Sequence, residues 1–317
     1  MIKRTEQKRY RISGHESFPC RYAWLPKVVR LLQRDPSIFK EDDDAMVELG
    51  LGKNMVRSAR FWAQATEVIS VARKKMSLTP FGHTVFGNNE LDPFLEDIRT
   101  LWLLHWNLST GSEPPLLAWD YLFNQSIEPE MTPSVVTRML LTEASRYDDG
   151  LSIVTIQQHF DVFLHTYLPT RRKKDKVQED NLDCPLVELE LIRRVRERES
   201  VRIKEDREPV YAFRYEDKPD ITPELFAYCI ADYWTKRFRN ENTLPFRDIA
   251  HGPGSPGRVF KLTEDAIRTR LEGIASMSLG CFTYTESTQF QQLQRTGKAI
   301  ALLTFLKKVY SGEASHV

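Results

Sequence analysis

The 317-residue chain is poor in the features that would cross-link it, anchor it or spread it over a polyanion. Four cysteines occur, Cys20, Cys184, Cys229 and Cys281, with no CxxC pair and no histidine at zinc-ligand spacing from another ligand. Neither a disulfide framework nor a zinc site is read from them, and the expectation is free, mostly buried thiols. No apolar run approaches the roughly 20 residues needed to cross a bilayer. The start carries Lys3, Arg4, Lys8 and Arg9 without an apolar segment behind them, so no signal peptide is read and a cytoplasmic, membrane-free protein is expected. A Walker Gly-Lys-[Ser/Thr], a Gly-x-Ser-x-Gly, a paired HxH and a clear Asp…Glu-x-Lys at a strand end are all missing. No repeat relates the two halves.

Charge of one sign is also missing overall: 45 Lys+Arg stand against 44 Asp+Glu, a net +1. That excludes a wholly basic DNA-coating protein but leaves room for a local patch. The charge is unevenly spread, net +6 over residues 1–90, −7 over 91–200 and +2 over 201–317. The two ends are where a polyanion would be met.

What is present is helical periodicity. Tyr22, Leu25, Val28, Val29 and Leu32 predict a helix over residues 18–32. Asp42, Asp43 and Asp44 before Ala45, Met46 and Val47 mark the start of a second, since acids favour a helix N-terminus. Gly50-Leu51-Gly52 ends it. Met55, Ala59, Trp62 and Ala63 then form the apolar stripe of a third helix reaching about Ala65. Val68, Ile69 and Val71, the basic turn Arg73-Lys74-Lys75, and Met76-Ser77-Leu78 read as a hairpin, and Thr79-Pro80 caps a short helix. This order is that of a winged helix-turn-helix. Lys53, Asn54, Arg57 and Arg60 lie on the third helix, with the three cations on the face opposite the apolar stripe. Cations suit phosphates, planar donors suit base edges, and a helix N-terminus adds free N–H groups. Arg73, Lys74 and Lys75 on the wing would follow an adjacent stretch of backbone. The plain alternative is an amphipathic helix with a basic polar face.

Two further phrases stand out. In Ser13-Gly14-His15-Glu16-Ser17, His15 and Glu16 suit acid/base work and Arg21 a phosphate clamp, or residues 13–17 simply cap the following helix. Ser255-Pro256-Gly257-Arg258 suits a phosphate-facing loop, or a tight turn with Arg258 paired to an acid. Trp102, Trp106 and Trp119 read as core.

Expected domains are a winged-helix DNA-binding domain (1–90), a helical middle domain (91–170), a charged linker with a β-hairpin (171–220) and a C-terminal helical domain (221–317). The middle domain has helices over 135–144 and 153–167, the linker an exposed charged stretch over 171–180, a short helix over 186–196 and strands around a turn at 205–208. A helix from Thr222, a Gly/Pro loop and a helix through Leu271 fill the last domain, for which a helix-turn-helix variant is an alternative reading. The fold class is mainly α with small β-hairpins.

Ser13-Gly-His-Glu-Ser-Phe18, Val47-Glu-Leu-Gly-Leu-Gly-Lys-Asn-Met-Val-Arg57 and Leu78-Thr-Pro-Phe-Gly82 resemble phrases of a prokaryotic family, as do Asp183-Cys-Pro-Leu-Val-Glu-Leu189 and Ser255-Pro-Gly-Arg-Val-Phe-Lys-Leu262. The family is the SspB type, unrelated to the protease adaptor of the same name, and the resemblance covers nearly the whole chain. It implies a DNA-nicking subunit of a single-strand DNA phosphorothioation and phage-defence system, in which nicking opens the backbone so that sulfur can replace a non-bridging oxygen. It further implies work alongside a cysteine desulfurase, an ATPase and a PAPS-reductase-like enzyme. It carries no catalytic residues onto this sequence. Hydrolysis would call for a divalent cation such as Mg2+, and helix-turn-helix proteins are commonly homodimers.

Overall fold

The computed structural model describes residues 10–73, 75–88, 90–111, 113–148, 150–169, 184–199, 207–297 and 300–311. The N-terminal part runs α1 (Trp24–Arg34), α2 (Asp42–Leu49), α3 (Lys53–Ala65), strands β1 (Ile69–Ala72) and β2 (Lys75–Leu78), and α4 (Pro80–Phe86). Helix α1 begins six residues later than the periodicity suggests. Pro26 explains this: with a start at Trp24 its missing N–H falls in the first turn, where no partner is needed, whereas a start at 18 would bury the defect mid-helix. Residues 13–17 therefore do not cap α1, whose N-cap is Ala23 with no side-chain bond. The α2–α3 turn needs a left-handed residue, and Gly50 supplies it at φ 65°. Thr79 caps α4 by accepting from Gly82 N–H at 2.9 Å.

Next come α5 (Ile98–Thr110), α6 (Leu117–Trp119) running into a π-turn (Asp120–Gln125), β3 (Glu130–Met131), α7 (Pro133–Ala144) and α8 (Ile153–Tyr167). The stretch 186–196 is not a helix. A 3-10 turn (Pro185–Leu189) leads into β4 (Ile192–Glu199), which pairs antiparallel with β5 (Arg207–Phe213), and β3 joins on the other side of β5. Alternation of Arg194, Arg196 and Arg198 with Val195 and Glu197 fits a strand with polar faces better than a helix. The expected linker at 171–180 and the turn at 205–206 lie outside the described residues.

The last part runs α9 (Pro223–Arg237), β6 (Thr243–Pro245), α10 (Phe246–His251), α11 (Pro256–Phe260), α12 (Glu264–Glu272), α13 (Ile274–Met277), β7 (Phe282–Glu286), β8 (Gln291–Arg295) and α14 (Leu302–Val309). Its sheet has the order β6–β8–β7, all antiparallel. The protein is thus mainly helical with small antiparallel sheets.

One buried apolar core crosses the boundaries expected at 90, 170 and 220. Trp102, Trp106 and Trp119 are all inside it, as read from the sequence. A polar thread ties its parts together. Trp119 Nε1 donates to the Tyr167 hydroxyl (2.9 Å), that hydroxyl meets His105 Nδ1 (2.8 Å), and His105 Nε2 reaches the Val259 carbonyl (3.0 Å). Burial lowers the His105 pKa from 6.5 to about 3, so its ring is neutral. The four cysteines are buried thiols outside any disulfide. Among the described residues no helix is long and apolar enough to cross a membrane.

Candidate nucleic-acid interface

Helix α3 packs Val56, Ala59, Trp62 and Ala63 inward. Its outer end starts at Gly52, and no side chain caps it. Met55 and Val56 N–H donate to the Gly52 carbonyl at 2.9 and 3.0 Å, which leaves the Lys53 and Asn54 amides for an external acceptor. Lys53 and Asn54 stand exposed beside them, and Lys53 has no ion pair with a described residue.

Arg57 and Arg60 are not free, contrary to the expectation of three open cations on this face. Both reach back to Asp42 in the first turn of α2: Arg57 Nε to Oδ2 at 3.1 Å and Arg60 Nη1 to Oδ1 at 3.2 Å. The two side chains are 45% and 33% exposed and Asp42 22%. Arg60 also lies 5.9 Å from the Phe39 ring centre. Asp42 thus works against a polyanion here, a role invisible while it counted only as a helix-starting acid.

Hairpin β1–β2 projects next to α3. Its turn holds Arg73 in the left-handed region (φ 50°), and Arg73 and Lys75 are exposed without an ion pair to a described residue. Lys74 lies outside the described residues.

The remaining sequence candidates have other settings. His15 is buried at 5% exposure. Ser17 N–H donates to its Nδ1 at 3.2 Å, which puts the proton on Nε2, 3.2 Å from the Ile12 carbonyl and from His159 Nδ1. Burial lowers its pKa to about 4. The ring is a joint between the N-terminal segment and α8, and its burial and bonding within the protein argue against the acid/base reading. Glu16 is exposed at φ 49° and Ser17 follows at φ 62°. This loop is pinned to the inner side of α3: Ser58 Oγ donates to His15 O (2.9 Å) and Trp62 Nε1 to Phe18 O (2.9 Å). Arg21 lies 5.8 Å from the Phe18 ring and 5.5 Å from the Trp24 ring, so it is a packed guanidinium. Arg258 is on α11, N-capped by Ser255. It donates to the Ser126 carbonyl at 2.7 Å, not to an acid, and burial lowers its pKa. It closes the end of the π-turn, and neither a phosphate loop nor a carboxylate pair is formed.

No group of three or more His, Cys, Asp or Glu side chains able to hold a metal occurs among the described residues.

A second polar cluster escaped the sequence reading. Glu67, at φ 58°, points into a cleft with Asp232 and Lys236 of α9. Lys236 Nζ is 2.9 Å from Asp232 and 3.9 Å from Glu67, and Trp106 Nε1 donates to Asp232 at 2.8 Å. The i,i+4 spacing of Asp232 and Lys236 was the available signal for half of it.

Two solved structures resemble this fold over most of its length. One, described as SspB, superposes with a TM-score of 0.79 at 25% identity, over 96% of this chain and 91% of the other. A second, described as magnesium ion-bound SspB, gives 0.75 at 26% identity over 89% and 82%. Among curated proteins none matches. The SspB-type resemblance read from the sequence is thus borne out. A family model described as "Protein of unknown function (DUF4007)" matches residues 12–310, and the chain belongs to that family.

Proposed function

We propose that the protein is the DNA-binding and DNA-nicking component of an Ssp-type single-strand DNA phosphorothioation system, and that α1–α3 with the β1–β2 hairpin act as its winged helix-turn-helix. The observation carrying DNA binding is the uncapped start of α3: two open amides, those of exposed Lys53 and Asn54, and an adjacent hairpin bearing Arg73 and Lys75. Phosphate would sit at the helix start, Asn54 would reach a base edge, and the hairpin would follow the neighbouring strand. Arg57 and Arg60 join after exchanging Asp42 for phosphate.

The C-terminal part, with its order of helix, strand, helices and hairpin, is the other unit of winged-helix type, but the charge on its α12 is wrong for this task. The outward side of α12 presents Glu264, Asp265 and Glu272, and Arg268 is engaged by Asp265 and Glu286. Like charge would repel DNA there, which favours the N-terminal unit as the contact.

Nicking rests on kinship with SspB rather than on a residue set. It is tested with supercoiled plasmid, purified protein and Mg2+ or Mn2+, reading conversion to the open circle. Conversion abolished by a chelator supports the proposal. Tight binding to one operator sequence with no open circle under any metal would replace it with a regulator.

A further inference from the structure

The cleft holding Glu67 has a volume of about 650 Å3, within the range of ligand pockets. Its wall includes Ile69, Ser70 and Val71, three consecutive residues of β1. Alternate residues of a strand point to opposite sides, so a wall using all three presents the strand's edge. The hairpin register agrees. Thr79 N–H donates to Val68 O at 3.1 Å, and the pairs Ile69↔Leu78, Ser70↔Ser77 and Val71↔Met76 follow. Bonded and non-bonded pairs alternate, so the Ser70 amide groups face β2 and those of Ile69 and Val71 face outward. β1 pairs only with β2 among the described strands. A free edge of this kind is a template for another strand.

The rest of the cleft fixes what such a strand would carry. One end is aliphatic, with Leu302, Leu303 and Leu306 of α14; Leu303 is 39% and Val71 46% exposed. The other end is charged. Glu67, Asp232 and Glu113 face Lys236 and Arg11, an excess of one negative charge. Arg11 lies over the Phe61 ring at 4.0 Å and Lys236 is bonded to Asp232. The Glu67 carboxylate accepts no hydrogen bond from a described residue. It is held in place by its left-handed backbone and by Gly111, where a Cβ would fall 2.3 Å from the carboxyl carbon. The left-handed residue is the ordinary stop of α3, with Val68 N–H returning to the Ala63 carbonyl (2.9 Å) and Glu67 N–H to the Gln64 carbonyl (3.1 Å), and it aims the Glu67 side chain into the cleft. Burial raises the Glu67 pKa despite Lys236.

We infer that this cleft docks an extended segment of a partner protein, added as a strand to the outer edge of β1, with an aliphatic side chain on Leu302 and Leu303 and a nearby lysine or arginine on Glu67. Main-chain bonds to Ile69 and Val71 supply affinity and the two side-chain sites supply selectivity. The inference does not depend on DNA binding or nicking.

The test is selection of random dodecapeptides displayed on phage against the full-length protein, with synthetic versions of the winners measured by calorimetry. The expected winners place an aliphatic residue within two positions of Lys or Arg. Val71→Pro removes an outward N–H without touching the hairpin ladder and should abolish their binding, with thermal unfolding as the check on folding. Should Val71→Pro fail to fold, Leu303→Asp, on a separate helix, carries the same expectation. Glu67→Gln should weaken binding at least fivefold, and replacing the peptide's basic residue with norleucine should erase that difference. Winners that are acidic, or that bind all three variants equally, overturn the inference. So does a self-associated protein that Val71→Pro converts to monomer, because a second copy would then occupy the edge.

Discussion

Replacing Asp42 with Asn separates a latch from a scaffold. Asp42 holds Arg57 and Arg60 at 3.1 and 3.2 Å, and its carboxylate competes with a phosphate for each guanidinium. Exposed pairs are worth 0–1 kcal/mol each, and with the arginines 45% and 33% exposed the lower half of that range applies. Freeing both therefore returns at most about 1 kcal/mol, a ceiling of roughly fivefold in Kd. The change also removes an acid from the first turn of α2, costing roughly 0.5 kcal/mol of stability. Asp43→Asn is the control, because exposed Asp43 shares the charge but makes no ion pair with a described residue. Anisotropy titration of a labelled duplex at fixed salt should show Asp42→Asn binding tighter than wild type by up to about fivefold, with Asp43→Asn gaining less. Equal gains would reduce the effect to net charge. A loss of affinity with Asp42→Asn would mean that the pairing presents the arginines to DNA, and the latch argument would fail.

Acid should destabilise the protein early. Burial depresses His15 to about 4 and His105 and His159 to about 3, from 6.5. Between 6.5 and those values only the unfolded chain binds the protons, so stability falls as pH falls through that window. His15 alone accounts for about 3 kcal/mol by pH ~4. Urea midpoints should decline steadily from pH 7 to 4.5, and a flat profile would refute the neutral-ring assignments. Gly82→Ala should cost about 3 kcal/mol or more, since the added Cβ would lie 2.0 Å from the Val68 carbonyl oxygen and backbone cannot yield cheaply. An unchanged denaturation midpoint would count against the close approach of α4 to β1.

Local signals carried much of the fold. The start of α3 after Gly52, the span of α8 and the Thr79 and Thr222 caps follow from periodicity and capping chemistry that a short window contains. β4 was misread because an arginine-rich strand has no apolar face to count, and its partner β5 lies beyond residues that no short window spans. The candidate interface was legible as to which helix and hairpin, but not as to which cations are free. Arg57 and Arg60 meet Asp42 across 15 and 18 residues, a contact set by how α2 crosses α3. The cleft was out of reach altogether, since Arg11, Glu67, Asp232 and Leu303 converge only when α9 and α14 pack against the N-terminal unit.

The direct trial of the α3 surface is the salt dependence of duplex binding by wild type and by the triple variant Lys53→Ala, Arg73→Ala, Lys75→Ala. Three lost phosphate contacts should reduce the slope of log K against log salt by about 2.7 and weaken binding of every sequence alike. An identical slope in the triple variant, with the fold intact, would place the DNA elsewhere on the molecule.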